Sequence, residues 1–225
     1  MKNALRSILR KWDFLLSIPN TVHFNLRYFP FRTALKLPVF VSHRVQLKEL
    51  SGTVELQRIR TGIVKIGMGD GPLFHNAKSK SILIITGKVI FEGTADIGPG
   101  CQIAAHGELF VGNNFAVTGF SMIYAKTKIS FGRNVLISWD VSVFDQDWHD
   151  ICDAQGTVLN PPKPIIIGDN VWLCCRTLIL KGSKIKEGVV VAAGTTVAGR
   201  VDVSHAVIGG SPNIRVIKEG IFWKH

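Results

Sequence analysis

Acidic residues are scarce in this chain. Sixteen Asp and Glu stand against twenty-seven Lys and Arg, a net charge of +11 over 225 residues. Such a balance favours solubility and attraction to anions: an acidic cofactor, an acidic or lipid-linked substrate, or an anionic membrane surface. Nucleic acid is not the expected anion, because zinc-finger spacing, an RNP-like aromatic motif and a dense Lys/Arg block are all missing. Apolar runs of the roughly 18 residues needed to cross a bilayer are missing too. The first twenty residues do not read as a signal peptide. Arg6, Arg10, Lys11 and Asp13 interrupt the apolar stretch, and no small-residue cleavage site follows. A cytoplasmic location is expected, with the inner face of the membrane as its peripheral variant.

Cysteines number four, at 101, 152, 174 and 175. The adjacent Cys174 and Cys175 suit neither a disulfide nor a zinc knuckle, so all four read as reduced and structural. The seven histidines, at 23, 43, 75, 106, 149, 205 and 225, contain no H-x(3–5)-H pair. A three-histidine zinc site is therefore excluded and no metal is expected. Walker and G-x-G-x-x-G motifs are absent.

What the chain does have is a six-residue beat. Ile167, Leu173, Ile179, Ile185, Val191 and Val197 recur at that step, and Gly182, Gly188 and Gly194 keep it three residues later. Six is neither the helix nor the strand period; it is the mark of a hexapeptide-repeat parallel β-helix. Upstream, Ile97, Ile103 and Leu109 hold the step. It slips by two to Val111, Val117, Ile123 and Ile129, then by two again to Phe131, Ile137 and Val143. A turn taking up the extra residues would accommodate each slip.

Before the repeats, residues 3–17 read as an amphipathic helix. Leu5, Ile8, Leu9, Trp12, Leu15 and Leu16 lie on one face, Lys2, Arg6, Arg10 and Lys11 lie mostly opposite, and Pro19 ends it. That face either packs on the protein or lies in a membrane interface. Residues 20–50 read as an irregular lead-in. The chain thus divides into 1–50 (helix and lead-in), 51–212 (β-helix) and 213–225 (a capping tail).

The beat stops at residues 144–166, a stretch with three prolines, which reads as a projecting loop. Long loops on rigid scaffolds concentrate function. This one carries His149 within Asp145-Gln-Asp-Trp-His-Asp150. Histidine is the natural general base near neutral pH. Asp147 would orient it or hold an acceptor, and Asp145 and Trp148 are expected to face the acceptor. Exposed N–H groups around Ala192-Ala193-Gly194-Thr195 could hold an extended amide-bearing ligand.

The run from Ile137 through the D-x-D-x-H loop and Asn160-Pro-Pro-Lys-Pro164 to Ile167-Gly-Asp-Asn-Val-Trp172 resembles the hexapeptide-repeat acetyltransferases. It is most similar to the sugar O-acetyltransferases of bacterial capsule, O-antigen and exopolysaccharide synthesis and to the maltose and galactoside acetyltransferases. The resemblance covers roughly residues 90–218. It implies an all-β, left-handed β-helix and a homotrimer with active sites between subunits. The acyl donor it implies is acetyl-CoA, and the acceptor a carbohydrate, lipid-linked or free. The family's catalytic histidine falls on His149 and its aromatic wall on Trp172, which would face acceptor and cofactor. Contacts to acetyl-CoA fall on the Cys175 backbone, Ala193, Arg215 and Lys218. The Cys175 N–H is also the candidate oxyanion donor. The chain departs from the family at Cys174, where glycine is usual, and at Ala198-Gly199-Arg200, where Arg200 takes the place of the phosphate-end lysine. The tail, Ser211-Pro-Asn-Ile-Arg-Val-Ile217, is one residue longer than usual. The expected activity is O-acetylation of a polysaccharide sugar. The alternatives are N-acetylation of an amino sugar or nucleotide sugar, and a non-catalytic β-helix binding subunit.

Overall fold

An aliphatic residue at every sixth position gives each short strand one inward side chain, and the chain turns a corner before the next. In the computed structural model, which describes residues 12–69, 80–210 and 214–222, this builds a left-handed parallel β-helix of three sheets. Face one runs from Val39–Val41 to Ala206–Gly209, face two from Val45–Glu49 to Thr196–Val197, and face three from Thr53–Leu56 to Arg200–Val201. The inward residues stack in columns. Leu173 lies between Ile137 and Val191, Ile179 between Val143 and Val197, and Ile185 between Ile167 and Val201. All are buried, and each such side chain contributes about 1.5–3 kcal/mol. Gly182, Gly188 and Gly194 occupy corners at φ of 77°, 70° and 71°, where a side chain would be strained. Upstream of Gly188, the same corner slot holds Asn114, Asn134 and Asn170, also at positive φ. Their amides form a ladder with 3.0 Å steps.

The two-residue slips have a different origin from the one expected. Twenty residues separate Ile97 from its partner Val117, whereas eighteen separate Leu173 from Val191. The additional pair lengthens the strands of face three rather than a turn. Leu109 and Val111, and likewise Ile129 and Phe131, both point inward from a single strand.

The β-helix also begins earlier than residue 51. Val39–Val41 and Val45–Glu49 already pair in faces one and two. The beat is hidden there because the first coil is long: twenty-five residues separate Val39 from its partner Val64. Nor is the lead-in irregular. Helix α1 spans Ile18–Tyr28 and a single turn, α2, spans Phe31–Ala34. Pro19 opens α1 instead of ending the preceding segment, because the first turn needs no N–H from it. Of the amphipathic segment 3–17, residues 12–16 are helical, and residues 3–11 lie outside the described residues.

Helix α1 closes the open end of the β-helix by side-chain chemistry. Ser17, Thr21 and Asn25, four residues apart, meet alternate residues of the first strand's free edge. His43 N–H donates to Ser17 Oγ (3.1 Å) and Val41 N–H to Thr21 Oγ1 (3.0 Å). Asn25 donates to Val39 O (2.6 Å) and accepts from Val39 N–H (3.2 Å). The match is geometric: four helical residues rise about 6 Å, and two strand residues about 6.6 Å. Phe24, fully buried, plugs the core beneath. At the other end Arg215–Glu219 folds back antiparallel on Ala206–Gly209, covering the last edge of face one. Ser211–Asn213 and residues 223–225 of the tail lie outside the described residues.

Replacing Asn25 by Leu would leave the Val39 N–H and C=O buried without partners. The expected cost is about 2–4 kcal/mol, measurable as a lowered urea midpoint at unchanged m-value. A loss below 1 kcal/mol would show that α1 is not what satisfies this edge.

Candidate functional site

The projecting loop spans 145–164, leaving face two after Phe144 and rejoining face three at Ile165. Its first residue anchors it. Asp145 is fully buried and accepts from the N–H groups of Lys126 (2.7 Å), Thr127 (2.7 Å) and Lys128 (2.9 Å) and from Thr127 Oγ1 (2.7 Å). Four donors fill a carboxylate's acceptor capacity. Asp145 therefore holds the preceding corner and does not face an acceptor, contrary to the sequence expectation. Its carbonyl accepts from Lys163 N–H (3.0 Å), tying the two ends of the loop together.

Beyond this tie the loop is an ordered hairpin. Cys152 and Val158 form an antiparallel bridge, and Asp153 Oδ1 accepts from the N–H groups of Gln155 and Thr157. Lys181, from the next coil, donates to Asp147 Oδ2 (2.5 Å) and to Asn160 O (2.7 Å). Asn160 Nδ2 donates to Asp147 Oδ2 and to His149 O, both at 2.9 Å. The Lys181 ammonium, and then the Asn160 amide, hold the Asp147 carboxyl below the usual aspartate range.

This network frames His149. Its N–H donates to Asp147 O (2.8 Å) and its carbonyl is held by Asn160. The ring is exposed and has no hydrogen-bond partner among the described residues. Asp147 thus places His149 through the backbone and does not touch the imidazole. Beside it, Trp148 (φ 63°) lays its ring against Tyr124 (centroids 5.0 Å apart) and Phe144 (4.8 Å), and Tyr124 continues to His106 (5.2 Å). An aromatic file therefore runs along the coil axis to the foot of the loop, and Trp148 stays half exposed.

The second cluster lies at the corner between faces one and two. Trp172 points outward, its Nε1–H donating to Ser138 Oγ (3.0 Å). Cys175 and Ala193 stack one coil apart, linked by Gly194 N–H to Cys175 O (3.0 Å). The N–H groups of Cys175 and Ala193 have no acceptor among the described residues. Arg215 sits opposite Gly209, the last residue of the final face-one strand and level with Ala192 one coil earlier. Cys174 is half-buried, and burial, followed by the neighbouring Cys175, pushes its thiol up to about 11. It is therefore protonated near neutral pH and poorly suited to nucleophilic attack.

One chain does not bring these clusters together. The His149 loop leaves the corner between faces two and three, and Trp172, Cys175, Ala193 and Arg215 occupy the corner between faces one and two. Arg200 lies at the first of these corners, bonded to Asp202 (3.3 Å). Lys218 lies on the exposed tail strand opposite Val207. No group of three or more His, Cys, Asp or Glu side chains able to hold a metal occurs among the described residues.

Lys181, Asn160 and Tyr124 went unnoticed in sequence. Tyr124 was findable: it pairs in register with Phe144, twenty residues on. Asn160 opens the Asn-Pro-Pro-Lys-Pro motif. Lys181 carries no local signal, because only the coil stacking brings it to Asp147.

No protein-family model matches the chain. In sequence it is 28% identical over 135 residues to the Escherichia coli (strain K12) protein WbbJ, assigned by name to lipopolysaccharide biosynthesis as an O-acetyl transferase. That match spans 56% of this chain and 68% of WbbJ. In structure it resembles the polySia-specific acetyltransferase NeuO (TM-score 0.62, 20% identity, 80% of this chain and 72% of that one), a likeness of fold. It also resembles a galactoside acetyltransferase in complex with coenzyme A (TM-score 0.50, 26% identity, 58% of this chain and 64% of that one).

The depressed Asp147 has a consequence for pH. Its pairing stabilises the loop fully above the ordinary aspartate value of 3.8 and is lost as pH falls through the lowered native one. Amide exchange at Ile151, whose N–H donates to Asn160 Oδ1, and at Leu159, whose N–H donates to Ile151 O, should therefore quicken only below that range. In Lys181→Met it should already be fast at neutral pH; exchange unchanged by that substitution would dissolve the proposed tie.

Proposed function

We propose that the chain is a hexapeptide-repeat acetyltransferase and moves an acetyl group from acetyl-CoA to a carbohydrate hydroxyl, a reading supported by its likeness to WbbJ and to a galactoside acetyltransferase. One observation carries this reading: an exposed His149 ring, held through its backbone on both sides and without a hydrogen-bond partner among the described residues. An imidazole so placed can meet an acceptor hydroxyl in solvent. WbbJ's name points to a polysaccharide sugar as acceptor.

In this reading acetyl-CoA supplies a thioester carbonyl, and its thiol leaves. His149 takes the hydroxyl proton as the acceptor oxygen bonds to that carbonyl carbon, and returns the proton to the departing sulfur. The Cys175 N–H donates to the carbonyl oxygen as negative charge gathers there. The residues at that corner suit the donor's chemistry. The Cys175 and Ala193 N–H groups, without an acceptor among the described residues, match an extended amide-bearing arm, and the Arg215 guanidinium matches phosphate. Trp148 and its aromatic file offer an apolar face for a sugar ring.

The two clusters occupy different corners of one chain, so the complete site in this proposal forms between copies, as in a homotrimer. The His149 loop of one protomer would face the Cys175 corner of its neighbour.

His149→Ala should lower kcat about 10²–10⁴-fold, with thiol release as readout. A loss of only a few-fold would remove the general-base assignment. Co-assembled His149→Ala and Cys175→Pro protomers, each inactive alone, should regain partial activity; no recovery would argue against a shared site. Trp148→Ala should raise the acceptor KM about tenfold with kcat nearly unchanged. If amino-sugar acceptors release thiol and hydroxyl-only glycans do not, transfer to oxygen is the wrong reaction.

A further inference from the structure

Helix α1 is amphipathic in an unusual sense. Its polar stripe, Ser17, Thr21 and Asn25, faces the protein because a bare strand edge needs hydrogen bonds there. Its apolar stripe faces out. Leu15, Ile18, Val22 and Leu26 follow at helical steps of three and four residues, and all are exposed. The patch continues through Trp12 (60% exposed), Phe31 (67%) and Leu35 (65%). Exposed apolar groups concentrated this way mark an interaction surface.

Charge identifies the occupant. Residues 1–48 hold nine Lys and Arg and one acidic residue, Asp13, a net charge of +8 out of the chain's +11. Asp13 is already paired with Arg44 at 3.1 Å. Each of three exposed apolar residues is followed in sequence by an exposed cation: Leu26 by Arg27, Phe31 by Arg32, Leu35 by Lys36. Apolar residues intermixed with Arg and Lys, with a single acid that is already paired, are what an anionic bilayer interface selects. A second copy docking through the same surface would set Arg27, Arg32 and Lys36 against the same three cations of its partner. No helix among the described residues is long and apolar enough to cross a membrane, so the geometry fits a helix lying on the surface.

We infer that the N-terminal end of the β-helix is a membrane-docking surface. The outward face of α1, with Trp12, Phe31 and Leu35, sinks into the interfacial region of a bilayer rich in anionic phospholipid, and Arg27, Arg32 and Lys36 meet the headgroups. This does not depend on the acetyl-transfer reading. It places the coil axis away from the bilayer, with the His149 loop several coils above it.

The test is flotation of the full-length protein with phosphatidylglycerol/phosphatidylcholine vesicles and with pure phosphatidylcholine vesicles. Binding is expected to the first and not the second, and to weaken with salt. Arg27→Glu/Arg32→Glu/Lys36→Glu, and separately Leu26→Ser/Phe31→Ser/Leu35→Ser, should each weaken it at least roughly tenfold. All six side chains are solvent-exposed; unchanged circular dichroism and thiol release with a soluble acceptor verify that fold and chemistry survive. Failure of the wild type to bind anionic vesicles, or equal binding by both variants, overturns the inference. It is equally overturned if the variants shift oligomeric mass and leave vesicle binding intact, because the face is then a contact between copies.

Discussion

The structure depends on one constraint: a coil of a parallel β-helix can satisfy its backbone only with the coils above and below. Every inward position must be filled at the same height on three faces, and every strand must find its neighbour in register. The columns through Leu173, Ile179 and Ile185 meet that demand with one aliphatic per face. The earlier coils meet it with a second inward residue on face three, such as Val111 or Phe131. Regularity follows because a coil of the wrong length would leave buried N–H and C=O groups unpaired on both sides.

The same constraint determines where irregularity is allowed. A stack has two ends, and each must be closed by something other than another coil. Here a helix closes the first end through Ser17, Thr21 and Asn25, and an antiparallel strand covers the last edge of face one. The long insertion sits at a corner, where no ladder is broken. The loop 145–164 exploits such a corner, and Asp145 repairs it by accepting from the turn at 126–128. The polar groups that close the stack are thus structural even where their residue types suggest chemistry.

Chemistry and surface character follow from those solutions. With Asp145 consumed by the scaffold and Asp147 committed to Lys181 and Asn160, neither carboxylate ties down the His149 ring, which has no hydrogen-bond partner among the described residues. With α1's polar stripe turned inward to serve a strand edge, its apolar stripe is left facing solvent.

The amino-acid sequence by itself determined the β-helix, because a six-residue beat at Ile167–Val197 has few other physical meanings. It also located the loop and His149, since a break in a strict period is visible without coordinates. It could not assign roles within that loop. Asp145, Asp147 and Asp150 look alike in one dimension, and which is buried depends on a turn seventeen to nineteen residues away. The partners Lys126–Lys128 and Lys181 become neighbours only through the stacking of coils. Nor could it reveal the strands at 39–49, whose coil is too long to show a beat. The separation of His149 from Trp172, Cys175 and Ala193 was likewise decided by tertiary structure alone. Short local patterns set which residues point inward, and only the closed triangular path sets which corner each outward residue occupies.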